Sequence, residues 1–474
     1  MPRAWAVLLA LTLAGCAVGP DYQRPAPPPG TDAPAFKESG LWQPATPALA
    51  GAGSDWWQAF GDVQIDALVT QANAANQSLQ QAEAQYRQAQ ALLQGAQAAF
   101  FPTVGLGASA GRGRSIGSGG VSSLGNTHAW SLQAAWEPDL WGGVRRQVEA
   151  AGSSTQASAG DLAAARLAVQ AAAVNNYLQL RLLDQQQNLY ARTIEGYQKS
   201  LALTQAQYRA GVVTRSDVAL ARNTLASAQA QVLELDLARR QTEHALAVLL
   251  GQTPAAFALP AAPLAAALPA TPAGLPSQLL QRRPDIAAAE RRVAAANANI
   301  GVAQSAWFPR LGLSASGGYQ GAGFGPWFAA PGRVWALGAA LAAALFDGGA
   351  RNAQAASAQA GLDAAAAAYR QTVLNAFQEV EDNLAALGDL AQERAVQDEA
   401  ARAAHDSLQV LLAQYRAGTA PYTAVITAQS LALTADRATL QLQGRQFAAS
   451  VALIKALGGG WDADLPRADE GQGR

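Results

Sequence analysis

The feature that most constrains this chain is an internal sequence repeat. The pentapeptide QYRAG at residues 207–211 returns 207 residues later, at 414–418. The same offset relates the Phe-Pro pair at 101–102 to the pair at 308–309. Self-similarity at a fixed offset indicates one structural unit used twice. We therefore expect two copies of an extended unit of roughly 200 residues, rather than three unrelated domains.

Glycines mark the same duplication. Gly251 pairs with Gly458 at an offset of 207, whereas Gly142-Gly143 pairs with Gly348-Gly349 at an offset of 206. The copies are thus expected to differ by about one residue between these landmarks. We place the first repeat at 61–251 and the second at 277–461. A Pro-rich linker at 252–276 joins them, and a polar, disordered tail is expected at 462–474.

Composition excludes several classes of function. The chain of 474 residues has a net charge of −1, and 14% of its residues are charged. No large basic face is available, so no nucleic-acid partner is predicted. The three histidines are scattered (His128, His244 and His405), and the single cysteine is Cys16. No catalytic residue and no metal site is therefore predicted, and the chain is not expected to be an enzyme.

The N-terminus explains the single cysteine. Arg3 precedes an apolar run, and Leu13-Ala14-Gly15 leads into Cys16. This order predicts a signal peptide at 1–15. It resembles a bacterial lipobox, in which the cysteine receives diacylglycerol and an N-acyl chain; the alternative is an ordinary signal peptide that contains a cysteine. The residue after the cysteine is Ala17 rather than Asp. In this the sequence resembles lipoproteins that are sorted to the outer membrane. Residues 16–60 are rich in Pro, Gly and Ala and predict an extended, lipidated tether.

Two stretches in each repeat alternate apolar and small residues. Period two predicts strands at 103–112, 127–140, 309–320 and 333–346. The Gly/Ser-rich residues 111–126 are expected to form a loop. One face is apolar and carries aromatic residues near its ends, which we predict to lie at a membrane interface: Trp130, Trp136 and Trp335. This alternation is typical of a transmembrane β-barrel, but a soluble half-buried sheet shows it too. The lipobox favours the membrane.

The remaining segments are helical. Uninterrupted patterns predict long helices at 143–207 and 350–416, each about 100 Å long at 1.5 Å per residue. Lengths of this kind suit a coiled coil. Shorter helices are predicted at 216–250 and 423–457, and others at 63–100 and 284–306.

The chain supplies four candidate membrane strands, which cannot close a barrel. An open sheet edge is not tolerated in lipid, so the strands predict oligomerisation if they span the membrane. Two chains give eight strands, and side chains would fill the interior of a barrel of that size. Three chains give 12 strands, which leave room for a conduit.

Four motifs carry a resemblance to a known family. They are Cys16–Pro25 (CAVGPDYQRP), Leu279–Ile286 (LLQRRPDI) with Glu290, Trp307-Phe308-Pro309, and Ala456–Trp461 (ALGGGW). The chain resembles the outer membrane factor family of TolC-like channels, in its OprM/NodT-type efflux lipoproteins. The resemblance implies a mixed α and β membrane protein. Three copies would form a 12-stranded transmembrane β-barrel, continued by a periplasmic α-helical coiled-coil barrel.

The resemblance also implies function and partners. The homotrimer would sit in the outer membrane of a Gram-negative bacterium, anchored by lipid and extending into the periplasm. It would be the passive exit duct of a tripartite efflux pump for drugs or other small toxic compounds. Its partners would be a periplasmic adaptor protein, an inner-membrane RND-type transporter and outer membrane lipid. Alternatives are a duct for type I protein secretion or for metal-ion efflux. A lipid-anchored structural coiled coil is the alternative of a different class.

By the same resemblance, the two QYRAG turns are periplasmic tips, where related channels close and adaptors dock. The residues at these positions are Tyr208, Arg209, Gly211 and Asp217 in the first tip, and Tyr415, Arg416, Gly418 and Tyr422 in the second. A plainer interpretation is that the glycines end helices and that Asp217 favours a helix N-terminus. The second tip departs from the family, with Ala420, Ala424 and Thr427 where charges are common. We therefore predict weak ion selectivity, or a closed state held by packing around Tyr415 and Tyr422.

Overall fold

The computed structural model describes residues 17–33, 35–38, 55–116, 122–269, 282–322 and 332–459. Cys16, Trp461, the predicted tail and residues 270–276 of the predicted linker lie outside these ranges. Within them the α-helices are α1 (Val63–Ala75), α2 (Gln77–Ala98), α3 (Gly143–Arg209), α4 (Arg215–Leu249), α5 (Pro284–Ser305), α6 (Ala350–Arg416) and α7 (Tyr422–Ala456). The strands are β1 (Thr103–Ile116), β2 (Ser122–Trp136), β3 (Arg310–Gly321) and β4 (Arg333–Ala342).

The helix bounds repeat the duplication residue by residue. α2 and α5, α3 and α6, and α4 and α7 each begin and end 207 residues apart. The glycine pairing at an offset of 206 was wrong. Gly142 (φ 78°) corresponds to Gly349 (φ 93°), because each immediately precedes a long helix with a left-handed backbone.

The chain divides into two compact units. The first contains residues 1–26, 85–159 and 288–370, and it holds the sheet. The four strands pair antiparallel in the order β1-β2-β3-β4. At one end the terminal pairs are Thr103 with Ala135 and Arg310 with Ala342. Pro102 and Pro309 precede these strands and have no N–H to extend the ladder. β2 and β4 consequently end before the predicted residues 140 and 346.

At the other end, the first hairpin is longer than expected. The ladder continues to Ile116 paired with Ser122, so most of the predicted loop at 111–126 is strand. Glycine and serine side chains are compatible with strand backbone, and the register set by the apolar face carries the pairing through them.

The predicted helix at 63–100 is divided at Asn76, whose backbone is extended (ψ 124°). Its side chain accepts a hydrogen bond from the Leu79 N–H at 3.0 Å and donates one to the Leu249 carbonyl at 2.9 Å. Asn76 therefore caps α2 while tying this break to the end of α4. A side chain that competes with the backbone in this way is favoured at caps rather than inside helices.

The second unit contains residues 27–84, 160–287 and 371–474. Its main core includes Trp56, Trp57 and Phe60 from a short 3₁₀ helix, packed with residues of α1, α3, α4 and α7. The predicted tether thus ends in core residues. In the described part of the chain, no helix combines the length and apolar character needed to cross a membrane.

The linker is fastened in this unit by a buried ion cluster. The Asp184 carboxylate accepts hydrogen bonds from Arg181 at 2.9 Å and from Arg239 at 2.7 Å. Both arginines also donate to linker carbonyls, Arg181 to Pro260 at 2.8 Å and Arg239 to Leu259 at 2.6 Å. Because every charge in the cluster has a partner, burial of Asp184 is tolerated.

Candidate functional site

Both QYRAG turns end a long helix in the same way. Gly211 has φ 74° and Gly418 has φ 76°, the left-handed region that favours glycine. In the first turn, the Val212 N–H donates to the Gln207 carbonyl at 2.9 Å and the Gly211 N–H to the Tyr208 carbonyl at 3.0 Å. The second turn has the equivalent bonds, at 2.9 and 3.1 Å. These are Schellman motifs, which satisfy the last helical carbonyls.

The following helices begin differently. Thr214 and Asp217 form a capping box at the start of α4, in which the Thr214 N–H donates to Asp217 Oδ2 at 2.8 Å and the Asp217 N–H donates to Thr214 Oγ1 at 3.3 Å. At the start of α7 the equivalent residues are Pro421 and Ala424, and no side chain caps the helix. Asp217 therefore has the helix-capping contacts of the plainer interpretation; its gating role stays a prediction.

A tyrosine pair flanks the second turn and packs against α3 and α4, within the second unit. The rings of Tyr415 and Tyr422 lie 5.3 Å apart and are tilted by 45°. Both side chains are buried, and they pack with Ala221 of α4 and Val425 of α7. The hydroxyl groups of Tyr415 and Thr204 share a hydrogen bond of 3.1 Å, which links α6 to α3. We call Tyr415, Tyr422 and Thr204 the tyrosine latch.

Burial raises the pKa of Tyr422 to about 12, and the neighbouring Tyr415 adds to this shift. Burial also raises the pKa of Tyr415 above its ordinary value. Both phenols are therefore neutral at physiological pH, and the second turn is held by packing and hydrogen bonds rather than by charge. Weak ion selectivity, or a closed state held by this packing, stays a prediction.

Next to the latch lies a groove of about 1020 Å³ between α3, α6 and α7. Ser200 accepts a hydrogen bond from Gln429 Nε2 at 3.0 Å at the edge of this groove. The other amide atom, Gln429 Oε1, is buried and has no hydrogen-bond partner among the described residues. His405 and Asp436 form a second polar link across the groove, at 2.8 Å.

The other predicted tip residues are not drawn into the latch. Tyr208 is 46% exposed, although it is the repeat equivalent of the buried Tyr415. Arg209 and Arg416 are both exposed, and Arg416 lines the groove. Sequence reasoning missed Thr204, Ser200 and Gln429. The available signal was the placement of two hydroxyl residues four positions apart, and therefore on one face of α3.

In the first unit, the sheet register places most large apolar residues of the four strands on one face; Val334, in register with Gly318 and Ser131, lies on the other. Leu106 pairs with Leu132, and Ala134 with Ala315, which in turn pairs with Leu337. Cross-strand partners share a face, so the apolar alternation of each strand continues into the next. The opposite face carries Ser131, Gln133 and their small or polar partners. The strand alternation therefore describes one continuous apolar surface.

The three predicted interface tryptophans differ in environment. Trp335 is 77% exposed, whereas Trp136 donates its indole N–H to the Phe100 carbonyl at 3.0 Å, and Trp130 is half-buried opposite Tyr319. Further exposed aromatic side chains lie where helices and strands meet. Phe101, Trp307 and Phe308 belong to the Phe-Pro repeat and the Trp307-Phe308-Pro309 motif, whereas sequence reasoning missed Phe100 and Phe346. For Phe100, its position two residues before Pro102 was the available signal.

Known proteins match this chain over most of its length. The family model described as outer membrane efflux protein matches twice, at residues 68–252 and 275–459. The pyoverdine export outer membrane protein OpmQ of Pseudomonas putida is 34% identical, covering 98% of this chain and 99% of the relative. The toluene efflux pump outer membrane protein TtgC of Pseudomonas putida is 31% identical, covering 97% and 96%.

Solved structures agree with these relatives. The outer-membrane channel OprN superimposes with a TM-score of 0.85 at 32% identity, covering 94% of this chain and 100% of that one. The double match of the family model confirms the duplication, and the fold match confirms the resemblance to TolC-like channels. The chain therefore belongs to the outer membrane efflux protein family, and it acts in efflux at the outer membrane.

Proposed function

We propose that three copies of this chain assemble into a passive outer-membrane duct. The observation that carries the proposal is the four-stranded sheet of the first unit, with one continuous apolar face and with β1 and β4 as its two edges. Unpaired backbone groups at an edge are costly in lipid. Edge-to-edge pairing of three sheets gives 12 strands, wide enough for a conduit. The apolar face then meets lipid, and the small and polar face lines the lumen.

We further propose that the tyrosine latch closes the periplasmic end of this duct. The support is that its two tyrosines flank the second turn, and that Thr204, three residues before the first QYRAG, bonds α3 to α6. Opening requires the Tyr415–Thr204 hydrogen bond to break and the Tyr415–Tyr422 contact to separate. The contacts are modest, at about 1 kcal/mol for a hydrogen bond and a similar amount for an aromatic pair. A docked partner could offset that cost.

The transported compounds are proposed to be small organic molecules. Relatives of this chain are named for the export of pyoverdine and of toluene, which supports a wide lumen without a fixed ligand. Energy and selection would come from an inner-membrane RND-type transporter, coupled through a periplasmic adaptor. The chain itself would act as a duct and not as an enzyme. Lipidation of Cys16 by diacylglycerol and an N-acyl chain remains part of the proposal.

Assembly can be tested on the detergent-extracted protein. We expect a trimer that migrates as one slow species without heating and as the monomer after heating. A monomer in both conditions would contradict the proposed barrel and would favour a lipid-anchored coiled coil.

Transport can be tested by deleting the gene and restoring it on a plasmid. We expect the deletion to sensitise cells to a panel of antibiotics, dyes and solvents, and the plasmid to reverse this. Sensitivity to metal ions alone, or loss of one secreted protein with unchanged sensitivity to small compounds, would assign the duct to a different cargo.

A further inference from the structure

The segment that follows Cys16 is held by specific contacts rather than hanging as a tether. Residues 17–25 form neither helix nor strand, but the backbone groups of Val18, Gly19 and Pro20 are each hydrogen-bonded to the rest of the unit. The Val18 N–H donates to the Trp141 carbonyl at 3.0 Å. Arg146 Nε donates to the Val18 carbonyl at 3.2 Å, and Arg146 Nη2 donates to the Gly19 carbonyl at 3.1 Å. One guanidinium group thus donates hydrogen bonds to the carbonyl groups of two consecutive residues, which its planar arrangement of several N–H donors permits.

A second group of contacts comes from α5. Asn297 Nδ2 donates to the Pro20 carbonyl at 2.9 Å. The Tyr22 hydroxyl donates to the Glu290 carboxylate, and the Arg291 guanidinium lies 5.5 Å from the Tyr22 ring centre. Arg146, Glu290 and Asn297 are only 6–7% exposed. Buried polar groups of this kind are costly unless paired. Arg146 also pairs with Glu149, and Glu290 with Arg291, and the segment supplies further hydrogen-bond partners to all three groups.

Glycines allow the close approach. A Cβ atom on Gly301 would lie 2.8 Å from the Val18 carbonyl oxygen, and one on Gly19 would lie 2.4 Å from the Gly301 Cα. Gly19 also has φ 105°, which side-chain-bearing residues rarely adopt. The segment and the surface of α5 are therefore shaped for each other.

The bound segment leads to an aromatic pair. Ala17 contacts Gly142, where a Cβ atom would lie 2.8 Å from the Ala17 Cα. The adjacent Trp141 stacks on Phe308 at 5.0 Å and donates its indole N–H to the Pro309 carbonyl at 2.6 Å. Pro309 immediately precedes β3. Aromatic girdles at the ends of barrel strands mark the membrane interface.

We propose that Val18–Tyr22 is a strap, that Arg146, Glu290, Asn297 and Gly301 are its receptor, and that the strap seats the acyl chains of Cys16 beside Trp141 and Phe308. Cys16 is joined to Ala17 by one peptide bond, which spans about 3.8 Å between Cα atoms. Only one residue, Cys16, then separates the acyl chains from the bound part of the chain. The lipid would enter the bilayer directly beside the base of the strands. The strap stands on the contacts above, and the position of the lipid rests on the proposed lipidation of Cys16.

The strap is tested by hydrogen-deuterium exchange on the purified full-length protein in detergent. We expect slow exchange in the N-terminal peptide that contains Val18, and exchange at least about tenfold faster in Arg146→Ala, since a charge-assisted bond is worth about one such factor or more. Arg145→Ala is the matched control, because the neighbouring Arg145 side chain bonds only to Asp139 among the described residues. Equal exchange in the Arg146→Ala and wild-type proteins would overturn the strap, as would an equal effect of Arg145→Ala.

A milder variant covers the case in which Arg146→Ala does not fold. Tyr22→Phe removes one hydroxyl from the strap and leaves the receptor intact. We expect exchange of the same peptide to rise by about tenfold. Unchanged exchange in this variant would also overturn the proposal.

The seat of the lipid is tested with cells fed a fatty acid that bears a photoreactive diazirine. After irradiation, we expect the acyl chain on Cys16 to cross-link to peptides that contain Trp141 or Phe308. A four-residue Gly-Ser insertion between Cys16 and Ala17 should reduce these cross-links several-fold, whereas the same insertion after Ala26 should not. Equal effects of the two insertions, or cross-links to other peptides, would overturn the seat. A Cys16 found without lipid would refute the lipidation and leave the strap to the exchange experiment.

Discussion

At the scale of single residues, the two copies keep positions while changing side chains. Asn76 and Arg283 are repeat equivalents, and each donates to the carbonyl of an equivalent residue, Leu249 or Ala456. The tip residues have diverged further, since Thr214 with Asp217 corresponds to Pro421 with Ala424. The backbone carbonyl that needs a hydrogen-bond partner is therefore at the same position in both copies, because the helices end at equivalent residues. The side chain that donates to it differs between the copies.

The tyrosine latch gives a pH prediction. The pKa of Tyr422 is raised by burial to about 12, from about 10 for an exposed tyrosine. The neutral phenol is therefore favoured by folding, and its contribution to stability is complete below about pH 10 and is lost as the pH rises to about 12. We expect Tyr422→Phe to reduce the alkaline loss of unfolding free energy over this range, measured by denaturant titration.

Tyr208→Phe is the control for this experiment, because Tyr208 is exposed at the equivalent position. It should leave the alkaline loss unchanged. An identical pH profile for Tyr422→Phe and wild-type protein would contradict the prediction.

The buried ion cluster gives a second prediction. Asp184→Asn leaves the buried Arg181 without its carboxylate partner and leaves Arg239 with only the longer contact to Glu243 at 3.5 Å. We therefore expect a loss of about 3–5 kcal/mol in the free energy of unfolding. Glu195→Gln removes an exposed ion pair with Lys199 and should have no measurable effect. Equal stabilities for the two variants, measured by urea denaturation, would show that the Asp184 cluster does not hold the linker.

At the scale of elements, the helix ends are set by glycine and not by the end of the helical pattern. Gly211 and Gly251 in the first copy, and Gly418 and Gly458 in the second, all have left-handed backbones. At Gly458 there is also a steric reason, because a Cβ atom would lie 2.1 Å from the Arg282 carbonyl oxygen. Gly418 has open space around it. A substitution at Gly418 therefore tests backbone strain alone, whereas one at Gly458 tests strain together with a steric clash.

We expect Gly418→Ala to destabilise the protein by about 1 kcal/mol through strain alone. Gly458→Ala should cost clearly more, because strain and collision add. Gly196→Ala in α3 is the control: the site is helical with open space around it, so alanine should stabilise by up to about 1 kcal/mol. Thermal unfolding in detergent measures all three, and a Gly458→Ala variant no less stable than Gly418→Ala would contradict the steric argument.

At the scale of the whole molecule, the exposed apolar face of the sheet distinguishes a membrane protein from a soluble one. Leu337 is 75% exposed and lies on the apolar face, while Ala336 beside it lies on the opposite face. In water, arginine at either position would be tolerated. In a barrel, Leu337→Arg places a charge in lipid at a cost of about 2–4 kcal/mol near the bilayer midplane. Ala336→Arg would point into the lumen.

We therefore expect Leu337→Arg to reduce the yield of heat-modifiable trimer in outer membranes severalfold, while Ala336→Arg leaves it near the wild-type level. Membrane fractionation followed by unheated electrophoresis gives the comparison. Equal yields for the two variants would contradict the assignment of the faces.

Local patterns predicted much of this fold. The repeat, the long helices, the alternation of the strands and the turn glycines all follow from residues close together in the chain, because helical and strand periods act over a few positions. The helix bounds were consequently predicted within about two residues at the tips. Asn76 was missed, since the helical period continues through it and its capping bond depends on the distant Leu249.

The sequence by itself determined that the chain is a duplicated α and β unit of the efflux family with two QYRAG turns. Only the tertiary structure decided which residue of an equivalent pair is buried. Tyr415 is buried against Tyr422 and Thr204, while its repeat equivalent Tyr208 is exposed. It also decided that Arg146 binds the segment after Cys16, 128 positions away in the chain. The physical reason is that pairing of polar groups across such separations depends on which helix faces pack together, and no local period records that choice.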